Sequence, residues 1–184
     1  MSEEALVRNC APTLAGLKTG SLFVCAFHSQ RQLTRELRDA NHILTPKGLR
    51  LVPLRCAEGH VLLYLYRPLR LKADLSEAAA RELLQEAGYP SCGIGNHLSE
   101  LARRLKSPNE FPHEIGLFLG YPPEDVKGFI MHKGKNSKCS GCWKVYGDAE
   151  KARRTFAAYH HCTDCYCKRH AMGATMEQLA VKGA

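Results

Sequence analysis

Five cysteines toward the C-terminal end of the sequence have a spacing that suits a metal site. They form a C-x2-C pair and a second group of three: Cys139, Cys142, Cys162, Cys165 and Cys167. The two-residue gap allows both sulfurs of a turn to point at one tetrahedral metal. We therefore predict that these cysteines bind zinc, with an iron–sulfur cluster or a redox-active C-x2-C pair as the next choice. The alternative is that they are small, moderately apolar residues that bind no metal.

A second candidate for chemistry is Cys10, which precedes a predicted helix at residues 12–18. Proline suits a first helical turn, and a thiol just before a helix N-terminus is favoured in its nucleophilic thiolate form. His113, at the start of a predicted strand, could hold the proton, and Glu114 could orient the imidazole. These three residues would serve a cysteine-dependent hydrolase or transferase. The competing interpretation is a core cysteine and a histidine that is hydrogen-bonded at a strand edge.

Positive charge is concentrated in the segment that contains the five cysteines. The chain has a net charge of +8, and residues 127–169 contain ten Lys or Arg against three acidic residues. Clustered lysines and arginines bind RNA or another polyanion by releasing its counterions. The same side chains could instead stabilise thiolates around a metal. The charge pattern therefore fits both a polyanion partner and a thiolate metal site.

The composition favours a soluble cytoplasmic protein. The 184 residues are 45% hydrophobic and 24% charged, which fits one compact domain over 1–184 with a cysteine-rich basic subregion at 134–170. The longest apolar run, 61–66, is far shorter than the roughly 18 residues of a membrane helix, and the acidic first residues do not resemble a signal peptide. Cytoplasmic thiols stay reduced, so nine cysteines favour metal binding or thiol chemistry over disulfides. Oligomeric state and substrate are not indicated.

Helices that alternate with about five strands must position these candidate residues. Apolar runs predict strands at 21–27, 49–54, 61–66, 113–120 and 142–146, the first buried on both faces and the next two forming a hairpin with Pro53 at an edge. Apolar spacing and capping residues predict helices at 3–9, 12–18, 29–44, 74–87, 98–105, 123–130 and from 148 onward. This order predicts an α/β or α+β fold, in which helices flank a mixed sheet and a cysteine-rich helical segment lies near the C-terminal end.

Several of these segments resemble the bacterial family called domain of unknown function 3793. The resemblance rests on the motifs Pro112-His113-Glu114 and Leu119-Gly120-Tyr121-Pro122, on the segment Cys10 to Lys18, and on Trp143-Lys144-Val145-Tyr146. It extends over nearly the full length of the chain. It implies no established activity, cofactor or partner, but it marks the segments around Cys10 and His113 as places where a shared role could reside.

Overall fold

The computed structural model of the protein describes residues 2–91, 93–107 and 111–183. The chain forms two compact units: unit 1 comprises Met1–Leu69 and Tyr159–Ala184, and unit 2 comprises Arg70–Ala158. The boundary between them falls within a long helix, α8 (Ala149–Ala171). Among the helices of the described ranges, none has the length and apolar content that a membrane crossing requires.

Unit 1 contains a three-stranded antiparallel sheet with β3 in its centre, formed by β1 (Gly20–Ala26), β2 (Arg50–Ala57) and β3 (His60–Tyr66). Glu58 and Gly59 both have positive φ and join β2 to β3 in a tight turn, the conformation that matches the twist of a hairpin. The predicted hairpin is confirmed, and Pro53 lies on an edge strand beside a shift in register. Val24 is 60% exposed, so the prediction that β1 is buried on both faces is wrong.

Helix α1 (Glu3–Leu14) begins after Ser2, whose hydroxyl accepts a hydrogen bond from Ala5 N, and it continues through Pro12. The prediction of two helices separated at Cys10 is therefore wrong. A single apolar face extends through the proline and holds the chain helical, because its members are all buried: Leu6, Val7, Cys10, Ala11 and Leu14. A proline in the last turn removes only its own backbone donor from the helix.

Two further helices complete the layer against the sheet of unit 1. Helix α2 (Gln30–Leu44) begins after Ser29 as predicted, since the Ser29 hydroxyl accepts from Gln32 N, and a 3-10 turn at Thr45–Lys47 follows it. Helix α9 (Met176–Leu179) packs on α1 and α2. The core of unit 1 unites the inner faces of these helices with the sheet and with the second half of α8.

Arg67 joins three segments of unit 1 from a position that is only 5% exposed. Its guanidinium donates to Thr13 O and Leu14 O at the end of α1, both at 2.8 Å, and to Val181 O at 2.8 Å. The positive charge also complements the negative end of the α1 dipole. Arg67 therefore fastens the C-terminal residues of unit 1 to the end of α1.

Unit 2 is mainly helical. Helix α3 (Pro68–Ser76) leads into it, and its other elements are α4 (Ala78–Glu86), α5 (Ile94–Arg104), α6 (Ile115–Phe118), α7 (Pro123–His132), the hairpin of β4 (Cys139–Ser140) and β5 (Lys144–Val145), and the first half of α8. Helix α7 begins where the sequence predicts it, and α5 begins four residues before the predicted start at 98. The predicted strand at 142–146 is confirmed in a shorter form, since β5 lies within it and pairs with β4.

The predicted strand at residues 113–120 is wrong, because this segment is a turn followed by the short helix α6. Ile115 N donates to Pro112 O at 3.1 Å, and Gly120, with φ of 74°, ends the helical turn. A short, continuous apolar run fits a buried helical turn as well as a buried strand. The described residues form an α+β fold with about five strands, as predicted, but the strands form two antiparallel sheets rather than one mixed sheet.

Candidate functional site

A partly open cavity of about 310 Å³ lies within unit 2. Its walls come from the segment before α6, from α7 and from the β4–β5 hairpin. The lining includes four aromatic side chains with a histidine and a lysine, namely Phe111, Tyr121, Phe129, Trp143, His113 and Lys144. Asp125 and Ser140 also belong to the lining. We refer to this cavity as the aromatic pocket.

Close backbone packing between α6 and α7 forms the floor of the aromatic pocket. A Cβ atom on Gly116 would lie 2.8 Å from Val126 Cγ2 and 3.1 Å from Tyr121 Cδ2, so glycine alone fits there without a shift. The Tyr121 N–H donates to Gly116 O at 3.0 Å and turns the chain back toward α7. This turn places the Tyr121 ring on the pocket.

Asp125 holds the hairpin wall of the aromatic pocket in place. It is 3% exposed, and its Oδ2 accepts a hydrogen bond from Trp143 Nε1 at 2.7 Å. Its Oδ1 accepts from the backbone N–H groups of Tyr146 and Gly147, both at 2.7 Å. Hydrogen bonds to a carboxylate are stronger than those between neutral groups. Three donors thus satisfy the buried charge of Asp125 and fix the indole.

Stacking on two further rings also fixes the orientation of Trp143. The Tyr121 ring stacks on the indole with centroids 4.7 Å apart, and Phe156 meets it edge to face at 4.5 Å. The Tyr121 hydroxyl donates to Cys142 O at 3.2 Å. Offset stacking and edge contacts of this kind stabilise aromatic clusters. The aromatic wall is therefore built before any ligand binds.

His113 and Lys144 are two of the polar side chains that line the aromatic pocket. His113 is exposed, and its ring lies 4.9 Å from Phe129 and 5.7 Å from Phe111, centroid to centroid. The described residues offer its imidazole no hydrogen-bond partner. Lys144 Nζ donates to Gly134 O at 2.5 Å, and an ammonium group has two further donors. Both side chains can therefore bond to a ligand.

The sequence predicts that Glu114 orients the His113 imidazole. In this structure Glu114 bonds to other residues instead. Its Oε1 accepts from the Tyr89 hydroxyl at 2.9 Å and from Arg104 Nη1 at 3.5 Å, and the side chain is 8% exposed. Burial, followed by the charge of Glu114, raises the pKa of Tyr89 well above its ordinary value. Glu114 thus joins the segment that follows α4, the end of α5 and the segment before α6.

Cys10, the predicted nucleophile, lies in the body of α1 rather than before a helix start. Its side chain is fully buried in the core of unit 1. Desolvation by burial raises the pKa of the thiol strongly above its ordinary value, against smaller opposing effects of Lys18 and Ser21. This environment favours the protonated thiol. The predicted catalytic pair of Cys10 and His113 therefore gains no support from the surroundings of Cys10.

Four of the five cysteines predicted to bind zinc pack against apolar clusters. Cys139 and Cys142 pack against the small cluster around Phe156 in unit 2, and Cys162 and Cys167 contact the core of unit 1. The eight cysteines that the structure describes are free thiols. Across 2–91, 93–107 and 111–183, no group of three or more His, Cys, Asp or Glu side chains could hold a metal ion. The described residues thus give the zinc prediction no support.

The sequence singles out part of the aromatic pocket and misses the rest. Trp143 and Lys144 belong to a segment that resembles the family, and His113 is a predicted site residue. The sequence identifies Asp125 only as an acidic residue at the start of α7, because its hydrogen-bond partners lie 18 to 22 positions away. Phe129 reads as an apolar residue of α7. The Leu-Gly-Tyr-Pro motif contains Tyr121, so this motif indicates the residues that form the floor of the pocket.

Comparison with known proteins places the chain in one family. No curated protein and no solved structure matches it. A family model described as "Protein of unknown function (DUF3793)" matches residues 6–180, which include the aromatic pocket, Glu114 and Cys10. Since the match extends over nearly the whole chain, the protein belongs to the DUF3793 family.

Proposed function

We propose that unit 2 binds a small, planar, aromatic molecule that carries a negative charge. The observation that carries this proposal is the aromatic pocket itself, in which four aromatic side chains surround about 310 Å³ and Lys144 and His113 add polar groups. Ligand sites are mostly apolar cavities of about 300–1,000 Å³ with a few polar groups that fix orientation. A cavity at the small end of that range suits one planar ring system.

The rigidity of the wall supports binding by stacking. Asp125 fixes the Trp143 indole by a hydrogen bond, and Tyr121 and Phe156 hold its faces and edge. A site that is ordered before binding loses less conformational entropy when the ligand arrives. A flat ligand that stacks in the pocket would therefore bind without a large rearrangement of the hairpin.

The charge near the aromatic pocket supports an anionic ligand. Residues 127–147 contain five lysines and no acidic residue. Asp125 also lines the pocket, but its carboxylate is buried and already accepts three hydrogen bonds. Aromatic cages also attract cations, but the Lys144 ammonium in the lining would repel a cationic ligand. An anionic group placed beside Lys144 would gain a charge-assisted hydrogen bond.

Quenching of tryptophan fluorescence tests the proposal directly, because Trp143 is the single tryptophan of the chain. We expect 1-naphthalenesulfonate to quench it with saturation, and neutral 1-naphthalenemethanol to bind more weakly. Lys144→Met should weaken sulfonate binding about tenfold, which corresponds to about 1.4 kcal/mol. Lys127→Met is the matched control, since Lys127 is exposed in the same acid-free segment but does not line the pocket.

Two outcomes would contradict the proposal. One is linear quenching without saturation, as free solution collisions produce. The other is equal loss of affinity in Lys144→Met and Lys127→Met, because a general charge effect would then explain binding. Phe129→Leu supplies a second variant that changes the lining without changing charge, and it should weaken the sulfonate and the neutral alcohol to a similar degree.

A second candidate function is the binding of a polyanion such as RNA, favoured by the five lysines of residues 127–147, which are all exposed. Binding of a fluorescent single-stranded RNA should then weaken steeply with salt, because each phosphate contact releases counterions. Removing Lys127, Lys133 and Lys135 together should reduce both the affinity and the salt dependence. Unchanged affinity in that triple variant would exclude this surface as the RNA site, whereas Phe129→Leu should leave RNA binding intact.

A further inference from the structure

The second half of α8, in unit 1, holds a cysteine and a histidine in direct contact. Cys165 Sγ lies 3.5 Å from His161 Nε2. The two residues are four positions apart, so their side chains meet on one face of the helix. His161 is exposed and Cys165 is half-buried, so solvent reaches the pair. A nucleophile within hydrogen-bond reach of a base is the arrangement that activates thiols in general.

Positive charge extends along the same face of α8. Lys168 and Arg169 follow Cys165 by three and four positions, and both are exposed in the last turn of the helix. Residues at these separations lie beside one another on a helix surface. By the same spacing, Asp164 does not face Cys165 but lies beside His161 and Lys168. Basic neighbours stabilise a thiolate and attract an anionic reagent. His161 contacts Cys165 directly, and helical spacing places the two cations on the same side of the helix one turn further along, where the Arg169 guanidinium lies over the Tyr166 ring.

The other thiols of unit 1 differ from Cys165 in ways that matter for reactivity. Cys10 is buried in the core, and burial raises its pKa. Burial also raises the pKa of Cys162, which is 8% exposed and lies in the core of unit 1. Cys56 is exposed but has no imidazole within hydrogen-bond distance among the described residues. Cys25 and Cys167 are half-buried, as Cys165 is, but neither has an imidazole within hydrogen-bond distance among the described residues. Solvent access and a base therefore coincide at Cys165.

We propose that Cys165 is a site of thiol–disulfide exchange with small anionic disulfides, and that His161 accepts the proton of its thiol. In the exchange, Cys165 Sγ forms a bond to one sulfur of the disulfide and the S–S bond of that disulfide breaks. The second half of the disulfide leaves as a thiolate and takes up a proton from His161 or solvent. The number of disulfide bonds is conserved, so no further oxidant is required. This proposal is independent of ligand binding in the aromatic pocket.

The test uses the full-length reduced protein and 5,5′-dithiobis(2-nitrobenzoate), an anionic disulfide, under less than one equivalent of reagent. Mass spectrometry of the modified peptides should find Cys165 labelled first, and Cys165→Ser should remove the fastest phase of the reaction. Cys56→Ser is the matched control and should leave that phase intact. His161→Ala should slow it about tenfold or more, and its exposed position means that no core contact is lost.

A neutral reagent separates the contribution of charge from that of the imidazole. With 4,4′-dithiodipyridine, the double variant Lys168→Met/Arg169→Met should react at nearly the wild-type rate, whereas with the anionic reagent it should react several times more slowly. Labelling of any other cysteine ahead of Cys165, or an unchanged rate in His161→Ala with its circular dichroism spectrum preserved, would overturn the proposal.

Discussion

Replacement of Asp125 by asparagine tests whether this residue builds the wall of the aromatic pocket. The asparagine amide has nearly the same volume, and its oxygen can still accept from the N–H groups of Tyr146 and Gly147. Its NH₂ group, however, would face the Trp143 N–H, so two donors would meet in a site that is 3% exposed. A hydrogen bond to a charged group contributes about 1.5–3 kcal/mol, and an unsatisfied buried donor costs a similar amount. We therefore expect Asp125→Asn to lower the free energy of unfolding by about 2–3 kcal/mol.

Urea unfolding followed by far-ultraviolet circular dichroism measures this change. Glu124→Gln makes the same chemical replacement one residue earlier at an exposed position, and it should change the free energy by less than about 0.5 kcal/mol. Trp143→Phe removes the indole donor, so Asp125→Asn should cost less in that background, and the difference is the coupling energy. Asp125→Asn with wild-type stability, or with the same cost in both backgrounds, would refute the assigned role of Asp125.

Three further predictions concern the surrounding structure. Arg67→Met should destabilise the protein by about 3 kcal/mol or more, because three carbonyls lose a buried partner, whereas Arg81→Met at an exposed site should have little effect in the same urea assay. Gly116→Ala should lower the free energy of unfolding by about 1–3 kcal/mol, because the new methyl group overpacks against Val126. Gly95→Ala in helix α5 is the control: its methyl group would contact nothing within 4 Å, so the melting temperature should stay the same or rise. The hydrogen bond from Arg103, together with that from Arg104, lowers the pKa of Glu100 from 4.5 to about 2. The ionised Glu100 carboxylate therefore stabilises the fold fully above about pH 4.5, and this contribution is lost as the pH falls toward 2. Glu100→Gln should therefore flatten the acid side of the stability profile in that window, and an unchanged profile would contradict the pairing.

Sequence patterns correctly predicted the helices and strands that depend on neighbouring residues, such as capping residues and apolar spacing. Ser29 and the apolar positions after it define α2, and Pro53 marks an edge strand because proline cannot donate to a central ladder. Pro12 misled the prediction of α1, since burial of one continuous helix face outweighs the lost donor. The strand predicted at 113–120 was wrong because a short apolar run occurs both in buried helical turns and in buried strands.

Long-range contacts account for what the sequence could not predict about the site. The role of Asp125 depends on the hairpin folding back to bring Trp143 within 2.7 Å, and nothing in the residues next to Asp125 indicates this. The C-x2-C spacing predicted a shared metal, but spacing alone does not determine what surrounds a sulfur. Cys139 and Cys142 pack against an apolar cluster instead. His113 was predicted as the first residue of a strand and as part of a family motif. The segment is instead a turn followed by α6, and Glu114 bonds to Tyr89 and Arg104 rather than to His113.

The indole resonance of Trp143 in a proton–nitrogen correlation NMR spectrum offers the most direct test of ligand binding in unit 2. The chain has one tryptophan, so this group gives one side-chain signal. Titration with 1-naphthalenesulfonate should shift that signal with saturation, together with signals of Tyr121 and Lys144, and inorganic phosphate alone should not. An indole signal that stays unchanged while signals of unit 1 shift would contradict the proposal that the aromatic pocket is the binding site.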